Sequence, residues 1–141
     1  MASMRDQSFL EQRLDAGSWP IAVGDLLVLL LFLLAGTLWH GHTLAGLWAD
    51  PVIFVLVAGP FVLGWLSCAP LVGAYSPGGG SAPNSSIPLA IRSWVPAAVV
   101  GLLVRFVAIP DRGVTPVFAA VILVGGAAVL AVWRYLYFLA R

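Results

Sequence analysis

Charged side chains make up only 9% of the 141 residues, and lysine is absent altogether. A soluble domain carries about a quarter charged residues, so a water-exposed surface cannot be assembled from this inventory. Seven Arg stand against six Asp plus Glu, a net charge of +1. That leaves no basic field able to neutralise a row of phosphates, which excludes nucleic-acid binding. The single cysteine, Cys68, sits inside an apolar run; neither a disulfide framework nor a thiolate metal site can be built within one chain. Beyond the first 19 residues the only acids are Asp25, Asp50 and Asp111, too few and too separated for a metal-dependent phosphotransferase. No Ser-His-Asp order, HExxH, phosphate-binding loop or carboxylate dyad is present, so the expectation is a protein that is not an enzyme and carries no cofactor. What is abundant is apolar: 61% of residues, with a mean hydropathy of +1.01. The chain reads as an integral membrane protein.

Crossing a bilayer core of about 30 Å takes roughly 20 helical residues. Four stretches qualify, at about 20–39, 52–75, 89–109 and 114–138, which makes the fold class all-α: a compact transmembrane four-helix bundle. The first stretch, PIAVGDLLVLLLFLLAGTLW, is apolar all round, as a segment wetted by lipid and by other helices should be. Residues 1–19 mix Arg5, Asp6, Glu11, Arg13 and Asp15 with Phe9, Leu10 and Leu14, which suits an interfacial arm at the headgroups. They do not read as a signal peptide, because the apolar run that follows is too long and meets Trp39-His40-Gly41-His42 rather than a small-residue cleavage site. Pro20, Pro51 and Pro116 sit where helices should begin, the latter two behind capping acceptors Asp50 and Thr115. The stretch SPGGGSAPNSSIP reads as a flexible polar loop, and Pro110-Asp111-Arg112-Gly113 as a tight turn.

Cytoplasmic flanks collect positive charge. Arg5, Arg13, Arg92, Arg134 and Arg141 fall on the side of the termini, Arg105 and Arg112 on the other, so both termini are expected in the cytoplasm and the protein in the plasma membrane. Trp19, Tyr75, Trp94, Tyr135 and Tyr137 would then form the inner aromatic belt, Trp39 and Trp48 the outer one. The sequon Asn84-Ser85-Ser86 lies on the cytoplasmic side of this scheme and is expected to stay unmodified.

A charge in hydrocarbon costs at least ~2.5–3.5 kcal/mol at the bilayer centre, so the intramembrane polar residues carry the functional question. Asp25 lies about five residues in from the start of the first span and Arg134 about as far from the end of the fourth. Their depths match to within a turn, and the two are expected to meet. The pair is either a clip that orders two helices or part of a gate, proton site or anion site. Near the outer face, His40, His42 and Arg105 could line one cavity; imidazole titrates near neutral pH, but residues two apart diverge on a helix, so no metal site is expected. Interfacial capping is the simpler role for them. Trp65, in Gly59-Pro60-Phe61-Val62-Leu63-Gly64-Trp65, needs a partner for its indole N–H at mid-membrane depth. Ala97 with Gly101, Ala69 with Gly73, and Ala127 with Ala131 form small-residue seams for helix contact.

These residues, taken in order, resemble the prokaryotic membrane family DUF3054, a domain of unknown function found in haloarchaea and actinobacteria. The resemblance rests on Gly24-Asp25, Phe32, Gly36 and His40-Gly41, then Asp50-Pro51, Pro60-Phe61, Gly64-Trp65, Gly73 and Tyr75, and finally Arg105, Pro116, Phe118 and Trp133-Arg134. It covers the chain from about residue 20 to 134. It implies a four-helix membrane protein without an assigned activity. The expected role is that of a small accessory or scaffolding subunit, self-associating or docked in a larger complex in the bilayer. The alternative is a small oligomeric transporter or channel in which Asp25, Arg134, Arg105 and His40 line the path; a more distant one is a subunit holding a cofactor through His40.

Overall fold

The computed structural model describes residues 16–109 and 114–140; the expected arm lies largely, and the expected 110–113 turn wholly, outside them. A short 3-10 turn at Ala16–Ser18 leads into α1, Trp19–Trp39. There follow a short α2, Leu44–Ala49, and α3, Val52–Val72. A short α4, Pro77–Ser81, precedes α5, Pro83–Ala108, and α6 spans Pro116–Ala140. Helices α1, α3, α5 and α6 are each long and apolar enough to cross a membrane, with no more than 33% of any span buried inside the protein. Large apolar side chains such as Leu27, Leu31, Val55, Leu103 and Val124 stand exposed on the outer surface, where water would penalise them and lipid would not. The fold is therefore an all-α membrane bundle. The ring closes α1 on α3, α3 on α5, α5 on α6 and α6 on α1.

Small residues set the spacing of that ring. A Cβ at Gly64 would collide with the backbone carbonyl of Ala97, and one at Gly101 with Phe61, so α3 and α5 approach at backbone distance. Between α1 and α6, Gly24 takes the face of Trp133 and Gly125 takes Phe32. Gly126 receives Trp94 in the same way. In lipid, where burial of apolar area gives helices little reason to associate, this close packing is the main source of cohesion. Phe61, Trp65 and Trp94 fill the centre, with ring centroids 6.3–6.4 Å apart.

Several local expectations are corrected. Helix α3 stops at Val72, not near residue 75, because Gly73 turns left-handed at φ 103° and the N–H groups of Gly73 and Ala74 both bond the Ala69 carbonyl. Gly73 is thus a helix stop rather than a seam residue. The glycine-rich stretch is not a free loop: Ser76 caps α4 by accepting from Gly79 N–H, and Pro83 opens α5 six residues ahead of the expected start at 89. Both prolines sit at first-turn positions, where a missing N–H is harmless. Asp50 does not cap α3, whose flanking position is Pro51; it ends α2 instead. Thr115 does cap α6, accepting from Phe118 N–H at 3.1 Å. Trp94 is not an interfacial residue: it is wholly buried, and its indole N–H donates to the carbonyls of Ile122 and Leu123.

Candidate functional site

Asp25 and Arg134 meet. Arg134 Nη2 lies 2.6 Å from Asp25 Oδ2 and Nε 3.2 Å from Oδ1, a two-pronged pairing in which both side chains are fully buried. The planar guanidinium matches the carboxylate fork in this way where a lysine would not. The remaining donor, Nη1, is shared among the Ala74 carbonyl (3.3 Å), the Ser86 carbonyl (3.0 Å) and the Ser86 hydroxyl (3.0 Å). On the other side, the Tyr75 hydroxyl donates to Asp25 Oδ2 at 2.9 Å and accepts from Trp65 Nε1 at 2.7 Å. Trp65, the residue whose indole needed a partner, is thereby joined to the ion pair through one phenol.

Each member is delivered by a local feature of the chain. Asp25 lies in the second turn of α1 and Arg134 two turns from the end of α6. The early stop of α3 at Gly73 exposes the Ala74 carbonyl and swings Tyr75 back under the bundle. The first turn of α5, anchored where Ser86 N–H bonds the Ala82 carbonyl, brings Ser86 to the guanidinium. Burial first, then the charge and hydrogen bond of Asp25, hold the Tyr75 phenol above its ordinary pKa, so it remains a protonated donor. Tyr75, Ser86 and Ala74 escaped the sequence reading. By sequence Tyr75 is an interfacial aromatic and Ser86 a loop residue, and no side-chain property marks Ala74. The only available signal was Gly73 beside Tyr75, a left-turning residue next to a hydrogen-bonding aromatic.

The other expected polar residues are elsewhere. His40 is fifteen residue steps beyond Asp25, at the far end of α1, a rise of ~22 Å, so His40 and Arg105 belong to the opposite end of the bundle. There they share a half-enclosed cavity of about 680 Å³, wedged between the second half of α1 and the first half of α6. Its lining includes Phe32, His40, His42, Arg105, Phe118 and Val121. Arg105 is buried at 9% exposure, with its guanidinium 4.3 Å from the centre of the Phe118 ring, a cation–π distance. The intramembrane polar residues thus divide into Asp25, Arg134 and Trp65 at one end and, as expected, His40 and Arg105 at the other. Among the described residues no group of three or more His, Cys, Asp or Glu could hold a metal ion.

The family model described as "Protein of unknown function (DUF3054)" matches residues 22–137, a range that holds every residue of both polar ends. Searches of the curated proteins and of the solved structures return no match.

Proposed function

The chain belongs to the DUF3054 family, and from that premise we propose a non-enzymatic multi-pass membrane protein that acts by packing. It serves as an accessory or scaffolding subunit, or associates with copies of itself, and carries no cofactor. The observation that supports this reading is the closure of the Asp25–Arg134 network. Both groups have zero exposure, both carboxylate oxygens are engaged, and the guanidinium donates to Asp25, Ala74 and Ser86 at once. A site that passes protons or ions needs a water-accessible side and an unmet coordination position; a clip that fixes the mutual register of α1, α5 and α6 needs neither. We place both termini in the cytoplasm of a plasma-membrane protein, on the distribution of arginines.

The test is Asp25→Asn in proteoliposomes and in detergent. The packing role requires a lower unfolding temperature and altered assembly with no solute flux in either form; a flux in wild type that Asp25→Asn abolishes, with folding intact, would overturn it. Native purification in mild detergent, followed by mass spectrometry of what accompanies the chain, distinguishes self-association from docking on a larger complex. A second reading, a small oligomeric transporter for a proton, an anion or a small polar solute, draws on one observation: the cavity that holds Arg105 and His40 at the opposite end.

A further inference from the structure

The cavity between α1 and α6 lies away from the clip and has a chemistry of its own. Its volume, about 680 Å³, falls within the ~300–1,000 Å³ of small-molecule pockets, which are mostly apolar with a few convergent polar groups. The polar groups here sit at one level. Arg105 is three residues from the end of α5, His40 and His42 lie just beyond α1, and Thr115 immediately precedes α6. In a bundle whose long helices span the bilayer, that level is the headgroup boundary. Below it the walls are Phe32, Leu33, Val121 and Ile122, reaching about two helical turns, or ~10 Å, toward the bilayer centre.

Such a wedge matches a molecule with an oxyanion at one end and hydrocarbon at the other. A guanidinium is permanently charged, presents five donors and is the preferred partner of carboxylate and phosphate. Phe118 covers one face of Arg105, and both residues line the cavity. A purely apolar occupant would set hydrocarbon against the cationic and polar rim of Arg105, His40, His42 and Thr115, and a small hydrophilic anion would leave the phenyl and aliphatic walls wetted. We propose that the cavity binds a single amphipathic anion, a carboxylate or phosphate ester on an apolar tail, with its head at Arg105 and its tail between α1 and α6. The site goes beyond the packing role proposed above and stands or falls separately from it.

The chemistry has two sources, a free fatty acid or an anionic lipid of the bilayer, and the experiment separates them. The full chain is placed in phosphatidylcholine nanodiscs, and its tryptophan fluorescence, to which cavity-lining Trp39 contributes, is read against brominated quenchers. One arm adds 9,10-dibromostearate and, as the uncharged control, its methyl ester. The other replaces part of the lipid with dibrominated phosphatidylglycerol, compared with dibrominated phosphatidylcholine. The expected result is saturable quenching by the acid but not the ester, or by the glycerol lipid beyond the choline lipid. Arg105→Gln should weaken it roughly tenfold, as the loss of one charged contact would, while Arg105→Lys retains part of it. Gly36→Leu is the second variant: a Cβ there meets nothing within 4 Å, so the side chain fills the cavity without disturbing the bundle and should abolish saturation. Equal quenching by acid and ester together with no excess for phosphatidylglycerol would overturn the proposal, and so would saturation unchanged in Gly36→Leu. Asp25→Asn should leave quenching intact in protein that still folds, which keeps a failure of the packing role distinguishable from a failure of this site.

Discussion

Tyr75 bridges Asp25 and Trp65: its hydroxyl donates to the carboxylate at 2.9 Å and accepts from the indole at 2.7 Å. One phenol therefore ties the end of α3 to the start of α1 and also satisfies the aromatic centre of the bundle. Tyr75→Phe should remove both bonds at little cost in volume and leave the Trp65 N–H buried without its acceptor. We expect a loss of ~1–3 kcal/mol in folding stability and a changed tryptophan emission, measured by denaturant titration in micelles.

Removing one charge of the clip strands the other. Asp25→Asn or Arg134→Met should each destabilise by ~3–5 kcal/mol, whereas the charge-free double variant Asp25→Leu with Arg134→Met should regain most of that loss. The coupling is read from a double-mutant cycle of unfolding free energies. A double variant no more stable than the worse single one would show that the pair is more than an internal clip.

Ser86 supplies two of the three acceptors around Arg134 Nη1, one of them its hydroxyl. Ser86→Ala deletes only the hydroxyl, so the cost should be ~1 kcal/mol, well below that of Asp25→Asn and visible as a small drop in unfolding temperature.

Close helix approach gives a contrast between two glycines. Gly64→Val drives a side chain into the Ala97 backbone and should cost ~1–3 kcal/mol as α3 and α5 separate. Gly36→Val, facing open space, should cost little. Parallel unfolding curves decide the ordering.

The orientation can be read with cysteine labelling in a Cys68→Ala background, since Cys68 is the single native thiol. Ala45→Cys, on exposed α2, should react with a membrane-impermeant maleimide in intact cells, and Asn84→Cys, at the start of α5, only after permeabilisation. The reverse pattern would place the termini outside. The Asn84 sequon is a poorer reporter than its sequence implied, because Ser86 is buried against Arg134 within a helix and is not displayed on a loop.

Two groups of expectations fared differently, for identifiable reasons. The pairing of Asp25 with Arg134 was legible because helix rise is fixed: equal distances from the membrane face mean equal depth, and a charge at that depth needs a partner. Trp94 lies deeper than its sequence position suggests because depth counted along the chain depends on where a helix begins, and α5 starts six residues before its apolar run does. Its first turn is polar, so hydropathy places it outside; Pro83 and the bonds from Arg134 to Ser86 hold it in the helix.

By itself the sequence determined the solvent, the number of crossings and the vertical position of each costly charge, because these follow from continuous apolar length and from 1.5 Å per residue, quantities that require no neighbour. Only the tertiary structure decided which way each helix turns about its axis and how far apart its ends stand. Rotation brought Tyr75 and Ser86 to the ion pair, and the gap between α1 and α6 opened the cavity at Arg105. Both are set by glycine and tryptophan contacts between helices distant in the chain, where the fit of surfaces, and not the composition of any one segment, selects the arrangement.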